Sequence, residues 1–513
     1  MNHSLTRTPL LIIFGLLFCI SGCGYAPTAI GPDGVLFVYK KDTIRPTMLD
    51  TVKIVMKTAS VQVDPDQEFY LARYNANHAK AEKKVPAVPK RSVEQVKQEQ
   101  PKPSALASEA DISAAKQRIA DLKGTCKTGK NGGITAITLE ASGNSVTLDD
   151  MKLFGRLKDL TSIDFTGSVF TDEYLAELKD LTNLTSVTIN NSDIQNGTLE
   201  MLATLPELKK LDLRRDLKLD NTSLEILQKM PKLEELYILY NSFTNSGMNK
   251  VSKISTLKVV DVRGCPDISD NGAKYLAKLP EIEELYFRGV ISNDGVEKLT
   301  AAPKLKFIEF QDCGDINSGS IESFNKMPAL TGLRIFRCKG FDDATLQGIA
   351  GIPFERLELR DLNLSNAGIL ACKGKETLKT VELSELGSVN EDGMNELLAS
   401  WKSPTVLRFF SIPVGDAELE LIANNMPNLT ELQLRAITVL ITDKGIGSIL
   451  KLKNLEILDL RENEKLSAES ILKLSELKNL KRLYVAGTGI VTKENEAAFE
   501  SLKQALPKCN ITR

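Results

Sequence analysis

Four acid-x-arginine triplets recur along this chain: Asp212-x-Arg214, Asp261-x-Arg263, Glu358-x-Arg360 and Asp459-x-Arg461. Residues two apart share one face of a strand, so acid and base in each triplet point the same way. Strands stacked about 4.8 Å apart would set an acidic column beside a basic one. Two readings of such columns stand. One is paired carboxylates with an anion-binding track; the other is charge ladders in which each column's self-repulsion is offset by its neighbour. Other reactive chemistry is scarce. The two histidines, His3 and His78, fall outside the repeating part of the chain described below, which argues against His-based proton transfer and His-ligated metal. No G-x-x-x-x-G-K-[ST], G-x-S-x-G or H-E-x-x-H motif is present. None of the eight cysteines forms a C-x-x-C pair. No catalytic residue, metal site or cofactor is expected. The net charge of −2 gives no bulk basicity for nucleic acid.

The N-terminus sets the compartment. Arg7 precedes an apolar run at 10–20 (LLIIFGLLFCI). A membrane-spanning helix needs roughly 20 apolar residues, so this run has the length of a secretory signal core instead. Ile20-Ser21-Gly22-Cys23 follows directly. It resembles the lipobox of bacterial lipoproteins, which implies thioether lipidation of Cys23, cleavage after Gly22 and acylation of the new N-terminus. Several acyl chains anchor stably where one is marginal. Gly24 stands where inner-membrane lipoproteins often carry Asp, so the resemblance implies the outer membrane, on its periplasmic side or at the cell surface.

Residues 23–75 carry β-prone runs at 35–40 (VLFVYK), 51–57 (TVKIVMK) and 68–74 (EFYLARY). They suit a small β element, although some 50 residues make a marginal core. Residues 76–108 hold four prolines, seven Lys or Arg and no aromatic side chain, a composition that cannot offset the entropy of ordering. As a coil, this linker spans roughly 30 Å. It reads either as a spacer whose basic groups brush anionic surfaces or as a solvated tether without a partner.

From 134 onward a repeat takes over. The first apolar position of each unit falls at Ile134, Leu160, Leu184, Leu208, Leu233, Leu257, Ile282, Leu305, Leu330, Phe354, Leu378, Pro404, Leu429, Leu455 and Leu480. Each unit opens with L-x-x-L-x-L or a close variant, such as LKKLDL at 208–213 and LEILDL at 455–460. The last four residues of that hexad alternate as a strand does. Thr171-Asp172, Ser269-Asp270, Ser292-Asn293 and Thr442-Asp443 then sit where helix starts need oxygen acceptors. Prolines such as Pro206, Pro231 and Pro280 lie two residues before the next unit and stop the helix. One unit is therefore strand, turn, helix, turn.

This repeat resembles the leucine-rich-repeat family. Residues 257–272 (LKVVDVRGCPDISDNG) match its cysteine-containing subtype, known from F-box proteins, nearly throughout. The resemblance implies an α/β solenoid, with a curved parallel sheet inside and helices outside. It also places the ninth position inward, so Cys265, Cys313 and Cys338 are expected to be buried, inert thiols. A Cys313–Cys338 disulfide is not expected, because parallel side chains suit disulfide geometry poorly. Repeats need caps. A capping helix and turn is expected over 109–133, opened by Ser108-x-x-Asp111 with Ile112, Ala115, Ile119 and Leu122 on one face. The repeats then run over 134–491, and a second capping helix and tail over 492–513. The signal peptide occupies 1–22.

Concave-facing residues are the third, fifth and seventh of each unit. In units five to nine these include Tyr237, Leu239, Val259, Arg263, Tyr286, Arg288, Phe307, Arg334 and Phe336, with Tyr240 extending the edge. In a chain only 6% aromatic this is a local excess, and Tyr with Arg is the usual pairing at interface hot spots. These residues read as a binding site for a protein, peptide or glycan. The other reading is that aromatics merely suit strands, shielding the sheet or a neighbouring copy. Two further function classes stand behind a membrane-anchored binding scaffold. One is an F-box-like ubiquitin-ligase adaptor, for which no F-box segment precedes the repeats. The other is a cell-envelope enzyme with the repeats as its targeting module.

Overall fold

The computed structural model describes residues 25–30, 35–40, 51–55, 107–141, 145–437 and 441–513. The chain divides into two units, Met1–Gln100 and Pro101–Arg513. In the first, Tyr25–Ile30, Val35–Lys40 and Thr51–Val55 form an antiparallel sheet in sequential order. Two of the expected β runs are thus strands, and Tyr25–Ile30, which carries Pro27, joins them as a third. Proline is tolerated there because the strand is outermost and its register shifts between Pro27 and Ala29. The run at 68–74, the lipobox with Cys23 and linker residues 76–106 lie outside the described residues.

The second unit begins with helix Glu109–Asp121. The Ser108 hydroxyl accepts the Asp111 N–H at 3.0 Å, and Ala115 and Ile119 bury its inner face. A hairpin follows, with Thr125–Thr128 antiparallel to Ile134–Glu140. From there each of the fifteen units contributes one strand, ending with Arg482–Tyr484, and each strand pairs in parallel with that of the next unit. Short helices lie on one face of this sheet and leave the other open. The architecture is a leucine-rich-repeat solenoid. Its first, fourth and sixth positions make the core: Leu208, Leu211 and Leu213, or Leu429, Leu432 and Leu434, are at most 1% exposed. Removing each from water contributes roughly 2 kcal/mol. Among the described residues no helix is long and apolar enough to cross a membrane.

The C-terminus differs from expectation. The final helix, Glu496–Ala505, is entered through a 3-10 turn at Lys493–Asn495 close to the expected start, and the tail after it is a strand. Asn510–Thr512 adds a parallel strand to Arg482–Tyr484. The last repeat strand would otherwise leave a row of unpaired backbone groups.

Bonds between units explain two features of the repeat. The aspartate that follows the capping residue in several units, at 172, 270, 416 and 443, bonds to the neighbouring unit. Asp270 accepts the Ser292 N–H and hydroxyl at 2.9 and 2.7 Å, and Asp416 accepts those of Thr442 at 2.8 and 2.6 Å. Glycine two residues past the acid leaves room for it: a Cβ at Gly445 would lie 2.7 Å from Asp416 Oδ1. The second feature is the eighth position. From the second unit to the fifteenth it is left-handed without exception, in Gly167, Gly264, Gly289 and Gly487 but also in Asn191, Arg215, Tyr240, Asp312, Arg337, Asp361, Glu385, Ser411, Ala436 and Glu462. Non-glycine residues there cost roughly 1–2 kcal/mol each. In twelve of these units the conformation aims the N–H at the next unit's seventh carbonyl, as from Tyr240 to Arg263 at 3.0 Å and from Asp312 to Phe336 at 2.8 Å.

Candidate functional site

The open face of the sheet is organised by its fifth-position column. Strand register stacks Asp212, Tyr237, Asp261, Tyr286, Glu309, Arg334, Glu358, Glu382 and Arg408 in that order. This corrects the expected continuous acidic column. Tyrosines separate the first three carboxylates, so like charges do not stand on successive strands there. Asp212, Asp261, Glu309, Glu358 and Asp459 are nonetheless no more than 3% exposed. Buried carboxylates require partners, and arginines supply them. Arg214 is bidentate to Asp212 at 2.7–2.8 Å, and Arg263 and Arg461 cover Asp261 and Asp459 in the same way. The third triplet behaves differently: Glu358 takes Arg356 at 3.0 Å, while Arg360 turns to Glu385 at 2.7 Å.

From Asp261 to Glu431 the pairs join into one network. Arg263 also reaches Glu309 at 2.7 Å. Arg334 sits among Glu309, Glu358 and Glu382 at 3.5, 3.3 and 3.8 Å. Arg408 links Glu358 at 3.3 Å to Glu431 at 2.7 Å. The Glu309 Oε2 atom accepts no hydrogen bond. Burial raises the carboxyl pKa of Glu382, which has the most distant cation in the network.

Most of the expected site residues share this face. The Tyr237 hydroxyl donates to Glu235 at 3.0 Å and the Tyr286 hydroxyl to Glu284 at 2.5 Å. Burial and those carboxylates push both phenol pKa values up. Val259 lies half-buried between Glu235 and Glu284 on adjacent strands. The Phe307 ring lies 5.4 Å from that of Tyr286, tilted by 46°, with the Arg356 guanidinium 4.2 Å from it, and Phe336 lies between Arg337 and Arg360 at 4.0 and 4.7 Å. Arg288 pairs with Asp312 at 2.7 Å. Leu239 and Phe307 are buried, at 6% and 5% exposure, and present little surface. Tyr240 stands apart, in the turn at the sheet's edge.

Sequence reasoning stopped at unit nine because it counted aromatics. The same third, fifth and seventh positions continue with Arg356, Glu358, Glu382, Arg408 and Phe410, whose ring lies 5.2 and 5.3 Å from Arg360 and Arg435. The period used for the earlier units already marks them. Elsewhere, a cavity of about 600 Å³ opens in the turns of units eleven to thirteen, lined by Leu386, Val389, Asn390, Ile412 and Pro413. Among the described residues no three His, Cys, Asp or Glu side chains converge to hold a metal.

In the cysteine-bearing units the ninth position points inward as expected. Cys265, Cys313 and Cys338 are buried free thiols. Cys265 Sγ donates to the Ile238 carbonyl at 3.1 Å, and Asn241 Nδ2 to that of Leu213 at 2.8 Å.

No protein-family model matches the sequence, and no curated relative is found for it. Among solved structures, the yeast Rad7–Elc1 complex is similar at 16% identity and a TM-score of 0.46, covering 75% of this chain and 90% of that one. An internalin from Listeria monocytogenes is similar at 16% identity and a TM-score of 0.36, covering 79% and 94%. A leucine-rich-repeat protein from Leptospira interrogans is similar at 15% identity and a TM-score of 0.29, covering 78% and 98%. What this chain binds is therefore read from its own residues.

Proposed function

We infer that this chain is an exported, lipid-anchored scaffold that binds a protein, peptide or glycan with the open face of its sheet and performs no catalysis. The observation that carries the binding reading is the row of half-buried Tyr, Arg and Phe side chains in units five to nine, held over a buried ion-pair network. A network that fixes its own arginines presents them with little remaining rotamer freedom, which lowers the entropy cost of binding. The lipobox-like Ile20-Ser21-Gly22-Cys23 supports the anchor.

Two experiments test the two halves. Cys23→Ala abolishes lipid labelling and leaves the precursor uncleaved after Gly22; normal labelling of that variant refutes the anchor. For binding, a photo-crosslinking amino acid is placed at Tyr286 and, as control, at Lys326 on the exposed helix side. The full chain crosslinks its partner from Tyr286 and not from Lys326. Equal yields from both positions, or a yield only from Lys326, refute the open face as the site.

A further inference from the structure

The fifth-position column follows a rule that the chain breaks once. Seven carboxylates stand in it, at 164, 212, 261, 309, 358, 382 and 459. Six of them have an arginine nitrogen within 3.8 Å, from Arg214 on Asp212 to Arg461 on Asp459. Asp164 is the exception: among the described residues no ion pair or hydrogen bond reaches its carboxylate. Burial raises its pKa, and the charge acting against that shift is Arg214, two strands away and itself bidentate to Asp212. The sequence carries the reason. Asp212, Asp261 and Asp459 are each followed two residues later by arginine, and Asp164 by Thr166.

The setting of Asp164 differs as well. In units one to three the open-face positions hold no arginine, lysine or aromatic side chain. Asp164 stands at their centre. Strand register sets Thr138 and Thr188 on either side of it, and Ser162 and Thr166 share its strand face. These neighbours are short, and the carboxylate is half-buried among them with solvent above. Lys127, beside Ala136 two strands away, does not reach it. Donors are scarce on this part of the face: Asn190 Nδ2 donates to Thr166 Oγ1 at 3.4 Å, and Asn190 Oδ1 accepts no hydrogen bond.

A partly buried carboxylate without a partner is destabilising. At the six other fifth-position acids the chain supplies the guanidinium itself; at Asp164 the short hydroxyl side chains leave the approach from solvent open. Arginine suits the place better than lysine. Its planar fork bonds a carboxylate through two N–H groups and keeps others for the surrounding hydroxyls.

We propose that Asp164 receives an arginine side chain of a partner protein, which lies across the open face of units one to three and sets its guanidinium on the carboxylate as Arg214 does on Asp212. The proposal rests on the scaffold reading and adds to it a second contact point, apart from the aromatic row of units five to nine.

The test uses the full chain and a fluorescein-labelled peptide alternating Arg with Ser, compared with one alternating Lys with Ser. The Arg–Ser peptide binds more tightly, and is released as salt screens the pair. Asp164→Asn lowers its affinity at least about tenfold, as expected on removing one partner of a charge pair. Thr166→Arg does the same, because it gives unit two the acid-x-arginine triplet of unit four and the chain then covers its own carboxylate. Glu173→Gln, an equal change of charge on the helix side of the same unit, leaves the affinity unchanged. Equal affinity of the Lys–Ser peptide, unchanged affinity in Asp164→Asn, or an equal loss in Glu173→Gln overturns the proposal. Free arginine that binds as tightly as the peptide overturns the assignment to a partner protein. A peptide lost on changing Tyr237, Tyr286 and Phe336 but not on changing Asp164 would leave the aromatic row standing as a site and this one refuted.

Discussion

Two columns of the solenoid, one charged and one largely neutral, handle burial in opposite ways. The fifth-position column on the open face holds full charges at 1–3% exposure and neutralises each with arginine. The ninth-position column in the turns is almost entirely neutral. Asn and Cys there pass hydrogen bonds to backbone carbonyls of the adjacent unit, and other units put Leu, Ile or Val in the same place. The open face has space for long cationic side chains, and the interior of a turn has none. Charge is therefore affordable in the first column and out of place in the second. Asp216 is where the second column breaks its own rule. Its Oδ1 accepts the Ser192 N–H and hydroxyl at 2.9 and 2.6 Å, while Oδ2 is buried without a partner. At the equivalent atom Asn241 and Asn463 donate to the sixth-position carbonyl of the unit before. For Asp216 that carbonyl belongs to Ile189, and only a protonated carboxyl could donate to it.

The largest effect should come from breaking the charged column at its centre. Arg334→Ala leaves Glu309, Glu358 and Glu382 short of a cation, and is expected to destabilise by roughly 3 kcal/mol, toward the lower end for a buried pair because Arg334 is partly exposed. A lowered urea midpoint checks this; a midpoint within error of the parent would mean the network carries no stability.

Correcting the neutral column should have a smaller, pH-dependent effect. Burial pushes the Asp216 pKa up to about 7, against the hydrogen bonds from Ser192. The folded protein then holds a proton that the unfolded chain has released between about pH 4 and 7, so this group's contribution to stability falls as pH rises through that window. Asp216→Asn supplies a permanent donor. It should stabilise by roughly 1–3 kcal/mol at pH 8, the cost of a buried unsatisfied group, and the gain should vanish near pH 5. Unfolding curves of both proteins at the two pH values decide it. A gain independent of pH would mean Asp216 does not titrate.

The smallest effects separate backbone from side chain at the eighth position. Ala436→Gly relieves a left-handed alanine and should stabilise by about 1 kcal/mol. The same change at Asp312 should destabilise, because its carboxylate holds both Arg288 and Arg337. Thermal melts that move both variants the same way would show that the ion pairs contribute little.

The sequence was a good guide wherever one unit sufficed. Landmarks from Ile134 to Leu480 each fall at the start of a strand-bearing unit, because burial on a pleated face imposes the same period on every copy. It was a poorer guide where two units share a bond. Glu358 has an arginine two residues away on either side, and period alone cannot choose between Arg356 and Arg360; the choice follows from Glu385, in the turn after the next strand, claiming Arg360. The left-handed eighth position was hidden because only four of fourteen units mark it with glycine. The terminal strand Asn510–Thr512 is too short for alternation to announce it, and forms because an open strand edge lies beside it. Within the candidate site, period placed Tyr237, Tyr286, Arg334 and Phe336 on one face. It did not disclose that Leu239 and Phe307 would be covered.

The central claim is that the open face of units five to nine binds a partner. It is tested most directly by changing Tyr237, Tyr286 and Phe336 to Ala in the full chain. The circular dichroism of the variant is compared with the parent's, and its affinity for the crosslinked partner is then measured. With the fold intact, affinity should fall by at least about tenfold, as for side chains at the centre of an interface; a folded variant that binds with unchanged affinity would contradict the account.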